Sequence, residues 1–388
     1  MQPPTNTVPF VDLTLQHQAL QTELMEAVQT VIRNGDFVLG QAVAEFEAAF
    51  AAASNATYGV AVGCGTDAIS LGLQACSIGQ GDEVILPANT FIATLLGVVR
   101  AGATPVLVDC DLTTALIDLD AAEAAITEKT QALIPVHLYG QMVSPERLRD
   151  LAQKYKLTIF EDAAQAHLAE REGYRAGSVG TAAAFSFYPS KNLGGMGDGG
   201  MLLTQSETVA QTMRSLRNYG APRKYYHTDY GTNSRLDTLQ AAVLNVKLPH
   251  LPLWNCDRNR IAQKYDRLFE PLRSQGILPI QNHSGSGHVY HLYVVRIAEN
   301  CPLRSEALQA ELSKRGIQTG IHYPIPCHLQ PAFEHLNYPE GSFPNAETLS
   351  QQILSLPMFP GLKDNQINQV VDTIIDLLDS NSGSAMSA

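Results

Sequence analysis

Between residues 59 and 204 seven short apolar runs recur: GVAV at 59–62, VIL at 84–86, PVLVD at 105–109, ALIPV at 132–136, LTIFED at 157–162, AAFSF at 183–187 and GMLLT at 200–204. Each is continuous rather than alternating, which predicts strands buried on both faces, and the intervening segments have helical character. Strands of that kind, separated by helices, specify an α/β fold with a mostly parallel central sheet flanked by helices. Upstream, Leu20, Leu24, Val28 and Ile32 recur every four positions and Asn34-Gly35 supplies a stop, so an amphipathic helix opens the fold. A second helix is expected from about 42 to 53.

The pattern changes near LPHLPLW at 248–254. A long helix is expected through RNRIAQKYDRLF, then HVYHLYVVRI alternates like a half-exposed strand, and helices follow near 303–315, 344–355 and 365–379. With 388 residues, more than one core usually takes, this divides the chain into a large α/β domain over 1–250 and a smaller α+β domain over 251–380. Residues 381–388, ending in GSAMSA, are expected to be a flexible tail.

Several function classes are set aside by composition. A net charge of −12, with no cluster of Lys and Arg, is the wrong sign for nucleic-acid backbone binding. No run of eighteen apolar residues exists to span a membrane, and MQPPTNTVPFVDL lacks the basic and apolar blocks of a signal peptide, so a cytoplasmic location is expected. The six cysteines show neither CxxC nor Cys/His spacing, which favours reduced thiols and no metal site.

In an open parallel sheet, ligands gather where strands end, so the residues just past each strand carry the chemistry. GVAVGCGTDAISL gives a strand, a glycine turn and Thr66 opening a helix, an arrangement suited to phosphate. LTIFEDAAQAH ends a strand at Glu161-Asp162, PVHLYG brings His137 and Tyr139, and FSFYPSKNLGG brings Ser186, Ser190 and Lys191. The turn Gly63-Cys64-Gly65-Thr66-Asp67-Ala68 also fits the dinucleotide fingerprint G-x-G-x-x-A, but the next strand ends in Pro87-Ala88-Asn89, without the acidic residue that holds a ribose. A nicotinamide oxidoreductase therefore lacks its main contact. Asp162 and Lys191 together suit pyridoxal phosphate: its aldehyde needs a lysine for a Schiff base, and its ring nitrogen needs an acidic partner.

These segments resemble the DegT-type sugar aminotransferases, within the fold-type I pyridoxal phosphate enzymes. The resemblance runs from VPFVDL to LSLPMFPGL and rests above all on EDAAQAH, SFYPSKNLGGMGDGG and GTNSRLDTLQAAVL in that order. It implies that Lys191 carries the cofactor and shuttles the proton, while Asp162 pairs with the ring nitrogen. It further implies that Phe91 stacks on the ring, Gln165 lies near the phenolic oxygen, and Gly65, Thr66 and Ser186 hold the phosphate. Asn233 matches a position that reaches the phosphate of a second subunit, which implies a homodimer with shared sites. Two departures stand out: Cys64 replaces a usual Asn or Ser, and Leu168 replaces the glycine that commonly follows the histidine of QAH. His167 reads as a satisfied structural histidine.

The activity so implied is transfer of an amino group from L-glutamate to a nucleotide-diphospho keto sugar. HYPIPCHLQ resembles branches that aminate carbon 3, so a dTDP-3-keto-6-deoxyhexose is expected, with a UDP-linked 3-keto sugar or a 4-keto sugar as the alternatives. Tyr188, His322, Tyr323 and His328 are the candidates to contact the sugar and diphosphate. A pyridoxal-dependent sugar dehydratase, a relative that typically carries histidine in place of the lysine, is disfavoured by Lys191; a noncatalytic cofactor-binding regulator would bind without turnover.

Overall fold

A computed structural model describes residues 7–382. Seven strands form the central sheet: β1 (Tyr58–Val62), β2 (Glu83–Pro87), β3 (Thr104–Val108), β4 (Thr130–Leu133), β5 (Thr158–Asp162), β8 (Ala182–Ser186) and β9 (Gly200–Thr204), while β6 (Glu170–Arg171) and β7 (Tyr174–Arg175) make a separate two-stranded hairpin. The order across the sheet is β1-β9-β8-β5-β4-β2-β3. Five neighbouring strands, β8, β5, β4, β2 and β3, run parallel, and β9 is antiparallel to both of its neighbours. All seven overlap the apolar runs of the sequence, the fourth only at residues 132–133, and helices cover the sheet, so the α/β reading holds.

The reversed strand has a consequence for the site. Gly200, at the start of β9, is paired with Val62 on one side and Ser186 on the other, which seats the turn after β1 beside the end of β8. A side chain at Gly200 would collide with the Cys64 carbonyl group, so only glycine permits that approach.

The opening helix runs Gln21–Asn34 and ends at Gly35 with φ of 69°, in the left-handed region where glycine is favoured. Leu20, Leu24 and Val31 are buried, but Ile32 is 58% exposed. Spacing by four drifts about 40° per step around a helix of 3.6 residues per turn, so the buried stripe moves back to Val31. The second helix spans Gln41–Ala53.

Beyond the helix Leu251–Phe269, β10 (Ile277–Pro279), β11 (Tyr293–Ile297) and β12 (Ile353–Leu356) form a small antiparallel sheet. The helix expected over 344–355 stops at Gln352, because Ile353–Leu356 are buried all round and pair with β11. The strand expected across HVYHLYVVRI forms only in its second half. Tyr290, with φ of 41°, breaks the extended run, and Val289 N–H donates instead to the Gly140 carbonyl at 2.9 Å. Two further helices span Ser305–Lys314 and Asp364–Ser382. Residues 381 and 382 therefore continue a helix rather than begin the expected tail; 383–388 lie outside the described residues.

One hydrophobic core surrounds the central sheet, and a second joins Val8 to residues from the helix Leu251–Phe269, the small sheet and the last helix. No helix among the described residues is long and apolar enough to cross a membrane.

Candidate active site

At the end of the sheet where β1, β2, β4, β5 and β8 finish, a cavity of about 340 Å³ opens. Gly65, Thr66, Phe91, Asp162, Gln165, Ser186, Tyr188, Lys191, His322 and Tyr323 all line it. Parallel strands make this convergence inevitable, since residues just past each strand share one edge of the sheet.

Asp162 ends β5 and is 5% exposed. Its Oδ2 accepts from the Thr94 hydroxyl at 2.7 Å and its Oδ1 from Ala164 N–H at 3.1 Å. Because Thr94 has spent its only proton, its oxygen must accept from the Thr90 hydroxyl, 2.8 Å away. Burial pushes the Asp162 carboxyl above its ordinary range, outweighing these donors and nearby Lys191. Adjacent Glu161 points to the opposite face of the strand, where both carboxylate oxygens accept N–H groups from the loop Gly177–Gly180. It also meets His137 Nε2 at 2.9 Å, while His137 Nδ1 accepts from Val143 N–H, so the imidazole donates through Nε2.

Lys191 lies in the turn after β8, with its N–H bonded to the Tyr188 carbonyl at 2.8 Å. Burial lowers its amine to about 8, and the pull of Asp162 in the other direction is too weak to restore it. At pH 7 a pKa near 8 leaves roughly one amine in ten neutral, against roughly one in three thousand at the ordinary value. The site thus supplies a nucleophilic amine at neutral pH.

The helix Gly65–Ala75 starts at the cavity, and its first backbone N–H groups have no partner within the helix. A Cβ on Gly65 would meet the Ser186 Cβ at 2.8 Å. The close approach leaves a helix N-terminus beside a hydroxyl, a cradle with the donors an anion such as phosphate requires.

Phe91 is 50% exposed, which a core phenylalanine would not be, and its ring lies 5.1 Å from that of Tyr323 at 37°. Gln165 Oε1 accepts from Tyr139 N–H at 2.7 Å and its Nε2 donates to the Tyr323 hydroxyl at 3.1 Å, so the amide orientation is fixed by a backbone donor. Burial, with Asp162 nearby, raises the Tyr323 phenol and keeps it protonated. His322 stacks on Phe10 at 5.6 Å and 14°, its Nδ1 is 2.9 Å from the Ser355 hydroxyl, and burial lowers it to about 4. The imidazole is neutral at pH 7, so His322 offers the cavity a hydrogen bond and no charge.

His328 is not at this cavity. It is 3% exposed, its Nε2 meets Glu347 Oε1 at 2.8 Å, and its ring packs edge-on to Phe343, so the expected contact with the sugar is not available to it. Asn233 is also away from the cavity of its own chain, exposed in the segment that precedes the helix Thr238–Lys247. Its neighbour Ser234 is tied to the glycine turn, donating to Asp67 Oδ2 at 2.6 Å and accepting from Gly63 N–H at 3.0 Å.

His167 is fully buried among Phe50, Phe185 and Phe187. Its Nε2 donates to the Ser186 carbonyl at 2.9 Å, burial lowers it to about 3, and its Nδ1 has no partner among the described residues, so the ring is half satisfied. The side chain braces Ser186 from behind. Leu168 has φ of 62°, the left-handed conformation that glycine adopts without strain.

Thr94 and His291 escaped the sequence reading. Thr94 sits in an apolar helix, Ile92–Ala101, where nothing in the spacing marks it, and His291 lies in the segment read as a plain strand. Asn89, at the place where a dinucleotide site needs an acid, is buried and donates to the Ala115 carbonyl at 3.0 Å.

Residues 18–375 match the DegT/DnrJ/EryC1/StrS aminotransferase family. This chain belongs to that family. It is 47% identical over 369 residues to the pleiotropic regulatory protein of Geobacillus stearothermophilus, covering 95% of this chain and 98% of the relative. It is 44% identical over 370 residues to the dTDP-3-amino-3,4,6-trideoxy-alpha-D-glucose transaminase of Streptomyces venezuelae, covering 95% and 96%. The crystal structure of S. venezuelae DesV in complex with a ketimine intermediate superposes with a TM-score of 0.92 at 43% identity, over 96% of this chain and 99% of that one. Family membership removes the nicotinamide oxidoreductase from consideration, and the residues present fit pyridoxal phosphate: a depressed amine, a buried carboxyl, a half-exposed aromatic ring and an anion cradle on one cavity.

Proposed function

We propose that this protein transfers an amino group from L-glutamate to carbon 3 of a nucleotide-diphospho keto sugar, with a dTDP-3-keto-6-deoxyhexose as the first candidate acceptor. The observation that carries the chemistry is the pairing of Lys191 and Asp162 on one cavity beside the cradle of Gly65, Thr66 and Ser186. The sugar rests on likeness to the Streptomyces transaminase and on the HYPIPCHLQ segment, of which His322 and Tyr323 reach the cavity.

Pyridoxal phosphate, when bound, supplies the aldehyde and the electron-accepting ring that carry nitrogen between the two substrates. Lys191 would hold it covalently and, once freed, move a proton at Nζ. Asp162 would keep the ring nitrogen protonated, steadied by Thr94 and Ala164. The first N–H groups of the helix Gly65–Ala75 and the Ser186 hydroxyl would hold the phosphate, Phe91 would cover one ring face, and the Gln165 amide would lie near the phenolic oxygen. Tyr188, His322 and Tyr323 would meet the sugar.

A homodimer with shared sites belongs to the same reading. Asn233 is exposed and does not line its own cavity, and Met25, Ile32, Phe37, Val38 and Leu39 are large apolar residues exposed on or just after the opening helix, a surface suited to a second copy. Residues 1–250 and 251–380 would serve as cofactor-binding and smaller domains; the second core, Val8 apart, is drawn from 251–380, while the first also takes in Val289, Val294, Phe333 and Leu349. All six cysteines are free thiols, which agrees with a reducing compartment such as the cytoplasm.

The test offers 3-keto and 4-keto sugars linked to dTDP or UDP to enzyme loaded with pyridoxamine phosphate, with product masses measured. Amination of dTDP-linked 3-keto sugars is expected. Amination of 4-keto sugars alone would overturn the position, and cofactor binding with no turnover on any sugar or on L-glutamate would favour a regulator.

A further inference from the structure

The residue that follows Lys191 starts a hydrogen-bond chain whose polarity can be read from end to end. Asn192 Nδ2 donates to the Val289 carbonyl at 2.8 Å and to Asn255 Oδ1 at 2.9 Å. A backbone carbonyl only accepts, so the Asn192 amide has one orientation and its Oδ1 faces the other way. Asn255 is fixed by the same logic, since its Nδ2 donates to the His167 carbonyl at 2.9 Å. Asn192 Oδ1 lies 3.2 Å from His291 Nδ1, and two acceptors cannot bond, so His291 Nδ1 carries a proton.

The remaining polar atom of that ring is Nε2. His291 is 8% exposed and lines the cavity together with Lys191, and Nε2 has no hydrogen-bond partner among the described residues. Its main chain is anchored, because Arg258 donates to the Tyr290 and His291 carbonyls at 3.0 and 3.3 Å. Burial first, then Lys191, Arg258, His322 and His167 around it, hold the imidazole well below its ordinary pKa and therefore neutral. The other charged side chains that line the cavity are Asp162, whose pull raises the Lys191 amine, and Asp198. Nε2 is thus a bare acceptor whose tautomer is dictated by the residue next to the lysine.

We propose that His291 is a positioning residue of the amino transfer, its bare Nε2 accepting a hydrogen bond from the Lys191 amine whenever that amine is not attached to the cofactor. The inference rests on the pyridoxal phosphate reading for what Lys191 does, and on the Asn192 chain for what His291 can do. An ordinary core histidine would have both nitrogens engaged or walled off; this one has a single nitrogen locked and the other unpartnered among the described residues, on the cavity that Lys191 also lines. Accepting from the amine favours its protonated form and fixes its direction, so the ring opposes part of the depression that burial imposes on Lys191.

Nitrogen-15 NMR of the cofactor-free wild-type chain tests the tautomer directly. A protonated Nδ1 and an unprotonated Nε2 on His291 at pH 7 are expected; the reverse tautomer, or a doubly protonated ring, overturns the proposal. His291→Phe keeps a flat ring and removes the acceptor. Its Lys191 titration, followed by the rate of amine modification in the cofactor-free chain, should move down by about one pH unit. In the loaded enzyme kcat should fall about tenfold with the KM for L-glutamate within about twofold, and His291→Gln should recover part of both. A packing role alone would lower Tm and leave the Lys191 titration in place, and that result would also overturn the proposal. If no acceptor sugar were aminated, the functional reading would fail while the tautomer and the titration still decided this one.

Discussion

Lys191 and Asp162 face one cavity, and the amine nevertheless titrates below its ordinary value instead of above it. A carboxylate neighbour favours the ammonium, so burial must be the stronger influence. Covalent capture of pyridoxal phosphate by the cofactor-free chain, trapped with borohydride at a series of pH values, should therefore rise as pH increases and reach half its limit near about 8. Peptide mapping should place the label on Lys191. A midpoint near the ordinary lysine value, or a label elsewhere, would refute the site.

Thr94 offers a test that leaves Asp162 itself in place. Thr94→Val keeps the shape and removes the donor to Asp162 Oδ2, leaving Ala164 N–H as the remaining hydrogen bond. Loss of a hydrogen bond to a charged group costs roughly 1.5–3 kcal/mol, so the carboxyl pKa should rise further and the acid limb of the pH–rate profile should move to higher pH. Asp162→Ala should fold and lose activity a hundredfold or more, as an electrostatic partner of the ring is worth roughly several kcal/mol. Unchanged profiles in both variants would place the ring partner elsewhere.

The sequence made the sheet legible because strands buried on both faces leave uninterrupted apolar runs, and the strand ends then located Lys191, Asp162 and Ser186 together. It was less informative where tertiary contacts override local pattern. Ile353–Leu356 reads as the end of a helix until β11 supplies a partner, and His288–Leu292 reads as strand until the 139–140 turn takes its hydrogen bonds. His328 was a candidate through the likeness of HYPIPCHLQ to carbon-3 branches, yet Glu347, nineteen residues on, holds it inside. Thr94 and His291 gave no signal at all, since each acquires its role from a residue more than sixty positions away. Leu168 was noticed as a departure, and its left-handed φ supplies the physical reason that glycine suits the position.

The anion cradle predicts a sharp steric effect. Gly65→Ala would place a methyl 2.8 Å from the Ser186 Cβ, an overlap that neither element can relieve without shifting a strand end or a helix start. Overpacking of this kind costs about 1–3 kcal/mol, and the displaced N–H groups should weaken retention of pyridoxal phosphate at least about tenfold. Dialysis against cofactor-free buffer, followed by fluorescence titration, measures it. Pyridoxal without phosphate should bind the variant and the wild type alike; equal losses for both ligands would mean that the turn does not hold the phosphate.

Asn233 is exposed on its own chain while Ser234 beside it is locked to the glycine turn through Asp67 and Gly63, so the segment is rigid at a surface. An exposed amide in this segment, where Asp237 pairs with exposed Val38, suits contact with a second copy related by two-fold symmetry. Two defective proteins decide whether it does. Lys191→Ala abolishes the reacting amine of its own cavity, and Asn233→Ala removes the amide given to the neighbour. When the two are mixed and subunits exchange, a heterodimer has one cavity with both defects and one with neither, so activity should rise above that of either parent, toward half the wild-type rate per heterodimer. Asn233→Ala combined with itself should retain its defect at every concentration. If exchange is demonstrated by mass and no activity returns, Asn233 serves its own chain or none, and the shared-site reading falls while the assignment of Lys191 is untouched.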